Sequence, residues 1–178
     1  MHRRYLKVIC ILIGVTAILA ISCNENPSTD RKEALPGLKE PLIHANKEAV
    51  REENQQIDDY IRRHQLAMET TPTGLRYMIT HTGIGPKGET GRMVRLDFVV
   101  MFLTGDTVYT ARTEGPLEFV VGKGQVITGL EEAILLMRVG DRAKFIIPSH
   151  LAFGLIGDQK KIRHKATLVY DLEFVSMK

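Results

Sequence analysis

GKGQVITGLEEAILLMRVGDRAKFIIP, residues Gly122–Pro148, is the stretch on which the fold turns. Thr128–Met137 reads as one helix. Leu130, Ala133, Ile134 and Met137 make a single apolar stripe at helical spacing. Thr128-Gly129-Leu130-Glu131 has the form of a capping box, and Gly140 suits the stop. Ala143–Ile147 then returns to a strand pattern. Working outward, every neighbouring segment has period two. Upstream, Leu75, Tyr77 and Ile79 alternate with polar residues from Thr71 on, and Thr82–Gly91, with four glycines and Pro86, reads as a loop. Val94, Leu96, Phe98, Val100 and Phe102 line one face of a long strand, while Arg95, Asp97, Val99 and Met101 make the other face mixed. Thr104-Gly105-Asp106 is a hairpin turn, with Thr107–Thr110 and Leu117–Val121 as further strands. Downstream, Thr167–Val175 closes the pattern. Strands in short succession, one helix, then two strands predict an α+β fold, a curved antiparallel sheet wrapped over one short helix.

Composition fits one folded domain with appendages. The chain has 178 residues, 44% apolar and 25% charged, which excludes a wholly disordered, collagen-like or multi-span membrane protein. Of its 11 aromatic residues, nine lie between Tyr77 and Phe174, so the core is expected there. Arg3, Arg4 and Lys7 supply the whole formal excess of +3, and no acid precedes Cys23. Beyond residue 22 the charges balance. A neutral chain argues against a nucleic-acid partner, which needs a basic face.

The beginning reads as an address. Met1–Lys7 is basic, and Val8–Ile21 is a run of 14 residues without charge. That is short of the ~20 residues of a bilayer span and suits a secretory signal. Leu19-Ala20-Ile21-Ser22-Cys23 resembles a bacterial lipobox; an ordinary cleavage site beside a coincidental Cys is the alternative. Cys10 lies inside the signal, so the mature chain has one Cys, at its N-terminus, and no internal disulfide. In an exported protein this favours lipidation of Cys23 over a disulfide framework. The expected organisation is a signal peptide over 1–22, a flexible Pro-containing tether over 23–45, a helix over 46–70 and the sheet domain over 71–178. Val50, Ile57, Ile61, His64 and Met68 form the stripe of that helix, with Asn46 at its cap. The stripe packs on the sheet domain in cis, or serves a partner or a second copy. The expected location is the cell envelope, lipid-anchored to the outer membrane and facing the periplasm.

Much chemistry is missing. The six His, at 2, 44, 64, 81, 150 and 164, have no metal-ligand spacing, and no metal is expected. Gly83-Ile84-Gly85-Pro86-Lys87-Gly88 matches G-x-G-x-x-G, but a dinucleotide motif must open a helix, and here a strand follows. The basic run Lys160–Lys165 reads as a solvated loop, or as a patch for an acidic partner. No cofactor is expected.

Residues Thr71–Lys178 resemble the FKBP family of peptidyl-prolyl cis-trans isomerases. The signals run in order: Thr73-Gly74-Leu75-Arg76-Tyr77, then Gly122–Ala133 with Val126, Ile127, Gly129, Leu130 and Glu131, then Met137–Pro148 with Gly140, Lys144 and Phe145. Leu151-Ala152-Phe153-Gly154 is similar to the family's aromatic-Ala-Tyr-Gly turn, and Ala166–Glu173 to its closing strand. With the lipoprotein address and the N-terminal helix, the chain also resembles the isomerase-type lipoproteins of gliding Bacteroidetes.

The resemblance implies an apolar cleft between sheet and helix that receives X–Pro segments of envelope proteins. Leu130 would be its floor, where the family often has Trp, and Leu117 would stand at the rim. Phe98, Tyr109, Phe119, Val126, Ile127, Phe153, Ile162 and Tyr170 would be its walls. Tyr109, Phe153, Ile127 and Leu130 would carry the catalysis, Ile127 by giving its N–H to a substrate carbonyl. The departures from the pattern are polar. Thr110 stands where the family has Asp, Phe153 and Phe98 lack Tyr hydroxyls, and Leu155–Lys165 has no Pro. Weak or narrow activity is therefore expected, with apolar residues preferred before Pro. A peptide-holding module without turnover, and a structural lipoprotein of an envelope machine that docks through helix 46–70, are the alternatives.

Overall fold

A computed structural model of the chain describes residues 36–178. The expected signal peptide, Cys23 and most of the expected tether lie outside the described residues. The chain divides into two units, Met1–His44 and Ala45–Lys178. Of the first, residues 36–44 are described, and all are helical.

Helix α1 spans Pro36–Arg63. This corrects the expected boundaries. The tether over 23–45 was to remain flexible to Ala45, yet residues 36–45 are helical, and Asn46 caps nothing. Pro36, Gly37 and Pro41 read as breakers, but Pro36 stands in the first turn, where a Pro lacks only an N–H without an intrahelical partner, and the helix continues through Pro41, which lies inside it. The helix also ends earlier than residue 70. Gln65 takes a positive φ of 54°, and Glu69–Thr70 forms strand β1.

The strands that follow are β2 (Arg76–His81), β3 (Met93–Phe102), β4 (Thr107–Thr110), β5 (Leu117–Val120), β6 (Arg142–Ile147) and β7 (Leu168–Met177). All pairings are antiparallel, in the order β1-β2-β6-β7-β3-β4, with β5 also on β3. Two short helices interrupt them: α2 (Ala111–Glu114), a single turn, and α3 (Thr128–Leu136). The turn α2 is absent from the sequence reading. Thr110 caps it by accepting the Thr113 N–H at 3.2 Å.

One face of the sheet wraps α3. Val94, Leu96, Val100, Phe145, Ile147, Leu168 and Phe174 are buried there with Leu130, Ala133, Ile134 and Met137. Gly129 makes the close approach possible. A Cβ on it would stand 2.4 Å from Ile147 Cγ2. The expected capping box does not form: Ile127 is the cap residue, and no side chain caps the helix. Thr128 is already helical, and the Glu131 carboxylate instead accepts the Gly124 N–H at 2.8 Å, fastening the preceding loop to the helix. Nor does Gly140 end α3, whose last turn closes at Met137. With φ +93°, Gly140 turns the chain into β6. The Gly83–Gly88 motif is a β2–β3 connection, as read. Buried Asp141 holds it by accepting the Gly83 N–H at 2.6 Å.

The other face of the sheet is covered as well. Ile57 and Tyr60 of α1 pack on Ile146 and Val169, residues that alternate with the inward Phe145 and Tyr170. Polar contacts fix this docking. The Glu53 carboxylate accepts the Ser149 N–H at 2.7 Å and the Thr167 hydroxyl at 2.6 Å. Arg76, 8% exposed, donates to Asn54 at 2.9 Å and pairs with Asp58 at 3.6 Å. Residues 46–63 are therefore an outer layer packed in cis on the sheet domain.

Candidate functional site

A cavity of about 400 Å³ opens between α3 and the sheet, within the range of ligand pockets. Strand β3 brings Phe98 and Val100, β4 brings Tyr109, α2 brings Glu114, and β5 brings Leu117. The segment before α3 supplies Gly124, Gln125, Val126 and Ile127, and α3 supplies Leu130. Phe153 and Ile162 come from the loops before β7, and Tyr170 from β7 itself.

Nine of the ten residues that the sequence assigns to a site line this cavity. Phe119 does not. It faces the same side of β5 as Leu117 but pairs with Val94 instead of Leu96, two residues deeper, and is core at 3% exposure. Val100, Glu114, Gly124 and Gln125 were missed. Val100 was legible, since it shares the face of Phe98. Glu114 depends on the unforeseen turn α2. A larger groove, of about 690 Å³, is more open, and its Arg142 and Glu173 pair with one another at 3.1 Å. Among the described residues no three His, Cys, Asp or Glu side chains converge to hold a metal.

The cavity is mostly apolar, with its polar groups concentrated on one wall. The Tyr109 phenol donates to the Asp158 carboxylate. That carboxylate also accepts the N–H groups of Ile162 at 2.7 Å and Lys160 at 2.9 Å. Asp158 thus pins the Pro-free loop to the β4 wall. Lys161 Nζ lies 4.6 Å from the centre of the Tyr109 ring and 3.7 Å from the Glu114 carboxylate. Nothing in sequence spacing signals Asp158, which meets Tyr109 across 49 residues. Ile127, in extended conformation, donates its N–H to no acceptor among the described residues.

These contacts shift the titrations. The hydrogen bond to Asp158, then burial, then the Asp158 charge raise the Tyr109 phenol above its ordinary value. Burial pushes Asp158 up, but the Tyr109 bond and the backbone N–H groups of Lys160, Ile162 and Lys161 outweigh it and hold the carboxyl below its ordinary value. Burial, then the neighbouring Asp158 and Tyr109, push Tyr170 far up. A carboxyl lowered on folding stabilises above its unfolded pKa and loses that contribution as pH falls through the folded value. The stability gap between the wild type and Asp158→Asn should therefore be open at neutral pH and close below about pH 4. Urea unfolding across pH measures it; a gap independent of pH would show that the charge contributes nothing.

Comparison with known proteins follows the same geometry. The family described as FKBP-type peptidyl-prolyl cis-trans isomerase matches residues 85–175, just over half of the chain. The chain is 38% identical over 98 residues to an FK506-binding protein of Streptomyces anulatus, covering 53% of this chain and 79% of that one. It is 33% identical over 107 residues to FK506-binding protein 4 of Dictyostelium discoideum, covering 60% of this chain but only 29% of that longer one. The crystal structure of AtFKBP13 superposes with a TM-score of 0.60 at 27% identity, covering 62% of this chain and 98% of that one.

Proposed function

The chain belongs to the FKBP-type peptidyl-prolyl cis-trans isomerase family, and from that premise we propose that it accelerates rotation about X–Pro bonds held in the cleft beside α3. The observation that carries this is the cleft itself: an apolar cavity with a free backbone donor at Ile127. Rotation needs no nucleophile. Its barrier of ~18–20 kcal/mol comes from amide conjugation, which a twisted amide lacks. The twisted amide is also the less charge-separated form. Leu130, Val126, Phe98 and Phe153 surround the bond with apolar surface, which favours the twisted over the planar state, a difference that lowers the barrier. Ile127 N–H holds a neighbouring carbonyl in place.

The finer reading follows the same residues. The apolar walls favour Leu or Phe over Ala before Pro. The signal-like start and Cys23 support an envelope lipoprotein that assists folding of exported proteins, in the manner of the gliding-type lipoproteins it resembles. A slow X–Pro step, tens to hundreds of seconds uncatalysed, makes such a catalyst useful there. One observation favours a second reading. Phe98 and Phe153 carry no hydroxyl, and that of Tyr109 is committed to Asp158, so a holding module would need little else changed. NMR exchange between cis and trans forms of peptides with Leu, Phe or Ala before Pro separates the two. Acceleration, strongest for Leu and Phe, is expected. Peptide shifts in the cleft without acceleration would establish the holding module instead.

A further inference from the structure

Tyr170 forms part of an apolar wall, yet its hydroxyl is out of place in one. The residue is 5% exposed and lines the cleft. Its ring sits on β7 between Val100 of β3 and Phe145 of β6. Phe would fill that place without bringing an oxygen into it. Among the described residues no fully buried side-chain oxygen or nitrogen lacks a hydrogen-bond partner. Among the described residues the Tyr170 hydroxyl has no hydrogen-bond partner, so it must retain contact with the open space of the cleft. The other phenol of the cleft, Tyr109, already donates to Asp158. Tyr170 is the cleft tyrosine whose donor is uncommitted.

We propose that the Tyr170 hydroxyl is a substrate-contacting donor, given to a peptide carbonyl of the bound X–Pro segment alongside the Ile127 N–H. The inference rests on the isomerase reading and adds a polar contact to it. Burial and the nearby Asp158 and Tyr109 keep the phenol protonated, and therefore a donor, throughout the working pH range. In an apolar surrounding a hydrogen bond is electrostatically stronger than in water, and leaving its donor unpaired is costly. The contact therefore discriminates in favour of ligands that present a carbonyl at that depth. It also gives the Asp158 clasp a second consequence. By occupying Tyr109, Asp158 leaves Tyr170 to be the phenol that the ligand meets.

Tyr170→Phe removes one oxygen and keeps the ring. For a peptide with Leu before Pro, kcat/KM should fall roughly three- to tenfold, the range of one hydrogen bond. The melting temperature should stay nearly the same, because the hydroxyl holds no other part of the described protein. The Tyr170 Cζ resonance of the wild type should shift when the peptide is added. Unchanged kcat/KM in an active protein would overturn the inference alone. Activity and melting temperature falling together, without the Cζ shift, would overturn it too by assigning Tyr170 to packing. If the wild type does not accelerate exchange, the isomerase reading fails, and peptide affinity decides this inference: weaker binding by Tyr170→Phe supports it, equal binding or no binding overturns it.

Discussion

Ile57→Ala is expected to lower the unfolding free energy by about 2–5 kcal/mol, the cost of an emptied aliphatic site in a core. Ile57 is 0% exposed, and Ile146 and Val169 beneath it are equally closed. Its place in the chain makes the result informative. If residues 46–63 were a spacer between tether and domain, a substitution there would change stability by less than about 0.5 kcal/mol, as surface changes do. The docking predicts instead that the helix and sheet unfold as one. Urea unfolding followed by two probes, the Tyr60 environment and the far-ultraviolet helix signal, should give coincident transitions in the wild type and a shifted midpoint in the variant. A separate early helix transition, with the sheet unaffected by Ile57→Ala, would detach the helix from the fold.

That docking also bears on the cleft. Glu53 holds Ser149 and Thr167 together. Ser149 begins the turn that ends in Phe153, and Thr167 precedes β7, which carries Tyr170. The outer helix thus braces the two segments that deliver one wall of the cleft, so its loss should cost rigidity at the site as well as stability.

The sheet and α3 were legible because each follows a simple period. Alternation in Val94–Phe102 assigns the inner face of β3, and the stripe Leu130–Met137 assigns the buried side of α3. The cleft was legible only through the family's motifs, which place Val126, Ile127, Phe153 and Tyr170 by local pattern. Three features were not. Ile57 belonged to a recognised stripe, but its partners Ile146 and Val169 lie on the outer face of strands more than 85 residues away in sequence, and periodicity gives no partner. Phe119 has the right side but the wrong depth, which register decides. Asp158 supplies a carboxylate beside Tyr109, while Thr110 stands where the family pattern has an Asp. It arrives from the opposite loop, and loop placement leaves no trace in spacing.

The cleft wall supplies the largest effect on activity. Tyr109→Ala should lower kcat/KM for X–Pro exchange by about 100-fold, equivalent to roughly 2.7 kcal/mol of transition-state stabilisation. Two losses combine. On the isomerase reading the ring is the wall that would keep the twisted amide dry, and its hydroxyl is a partner of Asp158, which orders the backbone of Ile162 on the same wall. Removing the ring also leaves Lys161, now 4.6 Å from its centre, without that face to rest on. Tyr109→Phe separates the parts, because it keeps the wall and discards the hydrogen bond, and a fall of only about three- to tenfold is expected. The two variants should differ little in melting temperature relative to this gap, since Tyr109 is only half-buried. Equal losses from Phe and Ala would mean that the clasp, and not the apolar wall, sets the rate. No loss from either would remove the Tyr109 wall of the cleft from the chemistry.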